Sequence, residues 1–318
     1  VESGLQILAG VVLLAAGGEA VVRGAVAVAR RLGVSELLIG LTLVGFGTST
    51  PELVTSVKAA FAGSPGIAIG NVVGSNISNC LLVFGLVAFI RPVVVPLKAV
   101  QRDGLIVIGA SVMLVAFMAR LGHFDRWVGA VLLVFLVAYI LFAWLSERRD
   151  APAAAMHAGE VQLHAARSPL WLSLLLAVAG LAALTFGADL LVGGAIALAT
   201  IAGISETVIG LTIVAVGTSL PELVASLTAA LRGRSDVAFG NIVGSNIYNI
   251  FGILGATALI APFRIPDDLV LRDWIALVGA AALLVFHAWT GARVSRFEAA
   301  TLLALYGVYA WFLIHPIG

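Results

Sequence analysis

The stretch Gly40–Asn79, GLTLVGFGTSTPELVTSVKAAFAGSPGIAIGNVVGSNISN, returns at Gly210–Asn249 as GLTIVAVGTSLPELVASLTAALRGRSDVAFGNIVGSNIYN, with 24 of 40 positions identical and no gap. The offset is 170 residues, and it also carries Gly17 to Gly187, Glu19 to Asp189, Arg102 to Arg272, Asp103 to Asp273 and Tyr139 to Tyr309. Self-similarity of that length at one offset means that the chain is built from two homologous halves.

The medium around those halves follows from composition. Of 318 residues, 61% are hydrophobic and 11% charged, and the mean hydropathy is +1.11. A water-soluble globule needs a charged surface, and this chain lacks the side chains to make one, so its solvent is lipid. A net charge of +1 provides no basic field for nucleic acid. The single cysteine, Cys80, excludes an intrachain disulfide and a cysteine-based metal cluster.

A bilayer core takes about 20 apolar residues per helix. Ten such segments are expected, at 5–29, 35–62, 67–90, 103–120, 126–146, 169–199, 206–231, 236–261, 273–290 and 297–315. The first starts at Leu5 without a basic leader and is expected to be a span rather than a signal peptide. The fold class is thus an all-α membrane protein with a five-helix repeat over 1–146, a cytoplasmic linker over 147–168 and a second repeat over 169–318. Five is odd, so the second repeat enters from the opposite side and the repeats are inverted, an arrangement associated with transporters. Basic residues concentrate in alternate loops, with Arg30, Arg31, Arg91, Lys98, Arg102, Arg148, Arg149, Arg167, Arg232, Arg234, Arg293 and Arg296 on one side. That side is expected to be cytoplasmic, with both termini outside the plasma membrane; the low aromatic and lysine content and the short linker point to the inner membrane of a prokaryote.

Glu52 and Glu222 interrupt otherwise apolar segments at equivalent places. A carboxylate at mid-membrane costs about 2.5 to 3.5 kcal/mol on insertion scales, so it pairs with a cation or lines a watered cavity. A pair of protonated, hydrogen-bonded structural carboxylates is the alternative. Pro51 and Pro221 precede them and deprive the carbonyls of Gly47 and Gly217 of helical donors, so both segments should break there and turn carbonyls such as those of Gly45 and Ala215 toward a cavity. Thr48, Ser49, Thr218 and Ser219 lie within one helical turn of the glutamates. Ser75 with Asn79, and Ser245 with Asn249, share helix faces at i, i+4. Hydroxyl, amide, carbonyl and carboxylate oxygens are hard ligands that suit Ca²⁺ or Na⁺ and not zinc or copper. Ser and Thr also bond helix carbonyls in membranes with no ligand at all. Gly70, Gly74, Gly240 and Gly244 are expected to serve packing, and Asn71, Asn76, Asn241 and Asn246 to hold helices together. Glu19 and Asp189 are either pathway or interfacial residues. No Walker loop, nucleophile elbow or HExxH helix is present, so the chain is expected to be neither an ATP-driven pump nor an enzyme, and to need no cofactor.

GTSTPE with GNVVGSNISN, and GTSLPE with GNIVGSNIYN, closely resemble the two alpha-repeats of the sodium/calcium exchanger family within the calcium/cation antiporter superfamily. The resemblance covers essentially the whole chain. It implies a secondary-active antiporter that exchanges Na⁺ for Ca²⁺ by alternating access, with spans 1 and 6 sliding past a fixed core. It makes Glu52 and Glu222 shared Ca²⁺ and Na⁺ ligands, joined at the calcium site by backbone oxygens of Thr48 and Thr218. Ser49, Ser75, Ser219 and Ser245 then belong to flanking sodium sites with the backbone oxygens of Gly45 and Ala215, and Asn79 and Asn249 complete the centre. Prokaryotic relatives often carry Asp at the place of Asn249, as do potassium-dependent exchangers, so the amide argues against potassium dependence. The proton/calcium antiporter branch is the alternative, although it has a GNxxE-type motif, and a calcium-permeable channel is a further one. The ions, Ca²⁺ and Na⁺, and the lipid bilayer are the expected partners. The oligomeric state is not set by the sequence, and a monomer is expected to suffice for transport.

Overall fold

Two segments, 65–90 and 235–260, sit at the centre of the molecule, and the rest of the chain wraps them. The computed structural model describes residues 2–63, 65–158, 169–202, 217–265 and 271–314. In the central helices α4 (Pro65–Ile90) and α9 (Ser235–Ile260), 72% and 83% of the apolar window is buried, against 28–33% for α1 (Ser3–Leu32), α5 (Leu97–Leu121), α7 (Leu170–Leu198) and their like. A helix that is apolar on all sides yet mostly buried belongs to a core surrounded by other helices. The outer helices expose apolar faces such as Leu8, Phe142, Leu175 and Trp311, as a lipid-facing surface must.

The second apolar segment is broken, as the proline predicted. Helix α2 (Glu36–Thr48) starts under the Ser35 cap, whose Oγ accepts from the Leu38 N–H at 2.9 Å. Ser49 then leaves helical geometry at φ −84°, ψ 10°, and α3 (Thr50–Phe61) departs at 45° with Pro51 in its first turn. Ser219 repeats the same geometry, at φ −90°, ψ 7°, before α8 (Leu220–Leu231) and its Pro221. The first part of that segment, 203–216, lies outside the described residues, and with it Ala215.

The remaining helices are α6 (Arg126–Ala158), α10 (Leu271–Gly291) and α11 (Arg296–Ile314). Seven helices among the described residues are long and apolar enough to cross a bilayer, and the bent α2–α3 pair makes an eighth. Helix α8 is a shorter apolar helix of 12 residues, and α11, at 19 residues, begins with Arg296 and Glu298 in its first turn. The protein is therefore a multi-pass, all-helical membrane protein. One expectation changes: the stretch 147–158, read from its charges as linker, continues α6 as helix, in keeping with the helix propensity of its alanines. Residues 159–168 lie outside the described residues. Arg102, expected in a loop, lies inside α5 and holds the neighbouring buried Asp103 in two contacts of 2.9 Å.

Contacts recur at the 170-residue offset. Strand β1 (Val93–Val94) pairs with β4 (Arg293–Val294) through Val93 and Val294, while β2 (His123–Phe124) pairs with β3 (Phe263–Arg264) through Phe124 and Phe263. Tyr139 donates to Asp103 at 3.3 Å and Tyr309 to Asp273 at 3.4 Å. Helices α1 and α7 pack antiparallel along their length, Gly10 against Gly187 and Gly17 against Gly180. Helix α2 lies equally close on α9: a Cβ on Gly244 would stand 2.2 Å from the Leu41 carbonyl oxygen. Because that obstacle is backbone, Gly244→Val is expected to destabilise the protein by about 1–3 kcal/mol or more through overpacking, read as a lowered unfolding temperature in detergent.

Candidate functional site

The break at Ser49 and the break at Ser219 bring the starts of α3 and α8 together against α4 and α9. Glu52 and Glu222, each in the first turn of its short helix, are 1% exposed. The two lie within electrostatic reach of each other. Ser49 crosses from one half to the other and donates from Oγ to Glu222 Oε1 at 2.9 Å. Thr48, on the last turn of α2, places its Oγ1 3.3 Å from the Gly45 carbonyl and 3.2 Å from Asn241 Oδ1.

The Gly45 carbonyl also accepts from Ser245 Oγ of α9 at 3.1 Å. The approach is close, and a Cβ at position 45 would stand 3.0 Å from the Ser245 nitrogen. The equivalent carbonyl in the other half belongs to Ala215, outside the described residues; Ser75, the counterpart of Ser245, is buried. Asn79 and Asn249 are each 1% exposed. Both lie where α4 and α9 loosen into a π-helical turn, at Asn79–Val83 and Tyr248–Ile253. Such turns are frequent at functional sites because they re-aim side chains without ending the helix. Thr218 and Ser219 lie at the break before α8, half-buried and buried respectively.

Donors run out in this pocket. Glu52 Oε2, Glu222 Oε2, Asn79 Oδ1, Asn249 Oδ1 and Ser219 Oγ are buried with no hydrogen-bond partner among the described residues. The carboxylate and amide oxygens can only accept when the glutamates are ionised, and a buried acceptor left unpaired costs about 1–3 kcal/mol, more if charged. Among the described residues neither glutamate forms an ion pair. Carboxylate, amide and hydroxyl oxygens of this kind are the hard donors that Ca²⁺ and Na⁺ sites use. Among the described residues no three His, Cys, Asp or Glu side chains converge, so the charge of the set comes from two carboxylates and the rest is neutral oxygen.

The asparagines hold this frame. Asn71 donates to the Glu52 carbonyl at 3.1 Å and to Ser56 Oγ at 2.9 Å; Asn241 donates to the Glu222 carbonyl at 3.2 Å and to Ser226 Oγ at 2.8 Å. Across the halves, Asn76 donates to the Asn246 carbonyl at 3.2 Å, and Asn249 to Asn76 Oδ1 at 2.9 Å. Asn246 donates to Cys80 Sγ at 3.0 Å. Ser56 and Ser226 escaped the sequence reading, although both follow a glutamate at i+4 and recur at the offset. So did the stacking of Phe46 on Tyr248, centroids 4.4 Å apart, which ties α2 to α9 one residue from Gly45 and from Asn249. Glu19 is not part of the pocket: it is paired with Arg23 and with Arg232 beyond the end of α8. Asp189 is exposed.

The profile of the Sodium/calcium exchanger protein family matches residues 3–145 and 172–315. The chain is 37% identical over 313 residues to the putative antiporter CaxA of Alkalimonas amylolytica, covering 96% of this chain and 97% of the relative. It is 33% identical over 337 residues to the sodium/calcium exchanger MaX1 of Methanosarcina acetivorans, at 95% of each. Among solved structures, the sodium-calcium exchanger NCX_Mj soaked with zero Na⁺ and Ca²⁺ superimposes with a TM-score of 0.81, at 34% identity and 97% of each chain. Because Asn241 ties the start of α8 to α9 through two bonds, Asn241→Ala is expected to lower stability by about 1–3 kcal/mol and to loosen Glu222; thermal unfolding with and without Ca²⁺ checks both.

Proposed function

This chain belongs to the sodium/calcium exchanger protein family, and on that footing we propose that it is an antiporter that moves Ca²⁺ in one direction and Na⁺ in the other by alternating access. The observation that carries the reading is the set of partnerless buried oxygens on Glu52, Glu222, Asn79 and Asn249. In this reading Ca²⁺ takes the two carboxylates with backbone oxygens of Thr48 and Thr218. Na⁺ takes the flanking positions made by Ser49, Ser75, Ser219 and Ser245 with the carbonyls of Gly45 and Ala215, and Asn79 and Asn249 close the centre. The bond from Ser245 to the Gly45 carbonyl supports one flanking position, since both oxygens already face one point.

Antiport follows from exclusion. One Ca²⁺, or several Na⁺, neutralises two carboxylates; the two ions together have no charge left to balance. An empty pocket holds two unpaired carboxylates in a low-dielectric interior, which disfavours the conformational switch and suppresses leak. The architecture proposed for that switch is ten spans in two inverted five-helix repeats, 1–146 and 169–318 joined by 147–168, with α1 and α7 sliding across the core. The recurrence of strand pairs and of the Tyr–Asp and Asn–Ser bonds at one offset supports it. The distribution of arginines supports both termini outside, and the prokaryotic relatives support an inner membrane as its location.

Purified protein in liposomes loaded with Na⁺ and diluted into Na⁺-free buffer is expected to take up radioactive Ca²⁺, while K⁺-loaded vesicles do not. Uptake driven by an acid interior instead would assign H⁺ as the counter-ion, and uptake with no counter-gradient would assign a channel. Glu52→Gln and Glu222→Gln are each expected to abolish exchange. Both variants should still unfold cooperatively but lose the rise in unfolding temperature that Ca²⁺ gives the unaltered protein, a rise of about 2.7 kcal/mol in stability at a hundredfold excess over Kd. Normal exchange by either variant would refute the ligand assignment.

A further inference from the structure

The two ends of this molecule share a backbone design but differ in where their charges stand. At one end, β1 and β4 close a concavity of about 520 Å³ lined by Arg91, Arg293 and Arg296 together with Ile90, Val94 and Leu231. Three arginines meet there without an acidic residue in the lining. Arg296 is anchored over the end of α4, donating from Nε to the Phe89 carbonyl at 3.0 Å and from Nη2 to that of Ile90 at 3.3 Å. Arg91 and Arg293 are exposed, and neither is in an ion pair among the described residues. At the related end, β2 and β3 make the same kind of pairing, but the residues 170 positions from Arg91, Arg293 and Arg296 are Ala261, His123 and Arg126, with Arg264 at the place of Val94. His123 there lies 3.8 Å from Asp125. The fold forms its strand pair equally well without Arg91 and Arg293, so these charges are not required by the architecture.

The concavity lies where α4 and α10, both membrane-spanning, reach their ends, which places it at the boundary between hydrocarbon and water. Its arginines stand beside exposed apolar side chains: Ile90, Val94 and Leu231 in the lining, and Phe297 next to Arg296, 80% exposed. A free anion needs only the cations. A ligand that satisfies both surfaces carries a phosphate and hydrocarbon chains. Guanidinium groups bind phosphate oxygens through paired donors, and basic pockets at helix ends attract anionic headgroups.

We propose that the concavity between β1, β4 and the end of α4 is a binding site for an anionic phospholipid, the phosphodiester held by Arg91, Arg293 and Arg296 and the acyl chains lying along Ile90, Leu231 and Phe297. This site is separate from the cation pocket and does not depend on which ions are exchanged.

Native mass spectrometry of the full chain in detergent tests it, with phosphatidylglycerol, phosphatidylcholine and inorganic phosphate as probes. Phosphatidylglycerol is expected to remain bound at collision energies that strip phosphatidylcholine, and millimolar phosphate should not displace it. Arg91→Ala and Arg293→His, which copy the residues of the related end, are each expected to weaken retention about fivefold, in proteins whose unfolding temperature and Ca²⁺ response are unchanged. Arg126→Gln, at the other end, should leave retention as it was. Equal retention of phosphatidylglycerol by the Arg91→Ala/Arg293→His double variant would overturn the proposal. Displacement by inorganic phosphate would overturn it too, as the mark of a free-anion site.

Discussion

Two carboxylates buried at 1% exposure, within reach of each other and, among the described residues, without a cationic side chain, set the terms for everything around them. Such a pair is tolerated in a membrane protein only if its oxygens are satisfied by something other than lipid. The surrounding frame supplies surprisingly little of that satisfaction. Ser49 donates to one oxygen of Glu222, while the other, and Glu52 Oε2, receive nothing from the described residues. The asparagines spend their amide donors on backbone carbonyls, serines and one another, so that oxygens are left facing inward. A core that sought stability alone would do the reverse, since half-satisfied polar networks are worse than an apolar interior.

Holding these oxygens in place requires helices that stop where the site begins. Proline in the first turn of α3 and of α8 supplies a pre-set φ at a position where no N–H is needed. Ser49 carries the change of direction and Ser219 has the same backbone geometry, so that Glu52 and Glu222 sit at helix N-termini, where the dipole favours negative charge. The neighbouring helices bend the rule in a different way: α4 and α9 stay continuous but widen into π-helical turns beginning at or just before Asn79 and Asn249. Glycine eases the frame, because a Cβ at position 45 would crowd the Ser245 nitrogen at 3.0 Å where the Gly45 carbonyl meets Ser245. Continuous central helices, the most buried of the membrane-spanning ones, and broken ones thus meet at this site.

Much of this was legible because its signals are local or repeated. A glutamate in an apolar run, a proline one residue before it and a serine–asparagine pair on one helix face each have a meaning that does not need tertiary structure. The duplication multiplied that meaning, and the breaks at Ser49 and Ser219 lie where the prolines said. What escaped depends on partners distant in the chain. Nothing near Glu19 in sequence points to Arg232, and nothing near Val93 points to Val294. Hydropathy placed Arg102 in a loop because a charge in an apolar helix is unfavourable in isolation, whereas Asp103, Glu147 and the Ala143 carbonyl together make it acceptable inside α5. Charges likewise made 147–158 look like linker, although charge says little about whether a backbone remains helical.

The departures from symmetry define the state of the molecule. On the proposed inverted-repeat architecture, exchanging the conformations of the two halves turns a site open to one side into a site open to the other. A bond that is made on one side and missing on the other therefore contributes to the energy difference between the two states. Ser49 donates to Glu222 while Ser219 Oγ has no partner, a pair of conditions that the exchange would reverse without loss. Glu19 with Arg232 is different, because the position related to Arg232 is Ala62 and Asp189 has no such arginine to meet. That ion pair joins α1 to the end of α8 in the present arrangement and has no equivalent to form after the exchange. Being partly exposed, it is worth little on the usual scale for surface pairs, about 0 to 1 kcal/mol. Yet a two-state equilibrium shifts about fivefold for each 1 kcal/mol of difference between its states, so contacts of this size are enough to choose the side on which a nearly symmetric carrier rests.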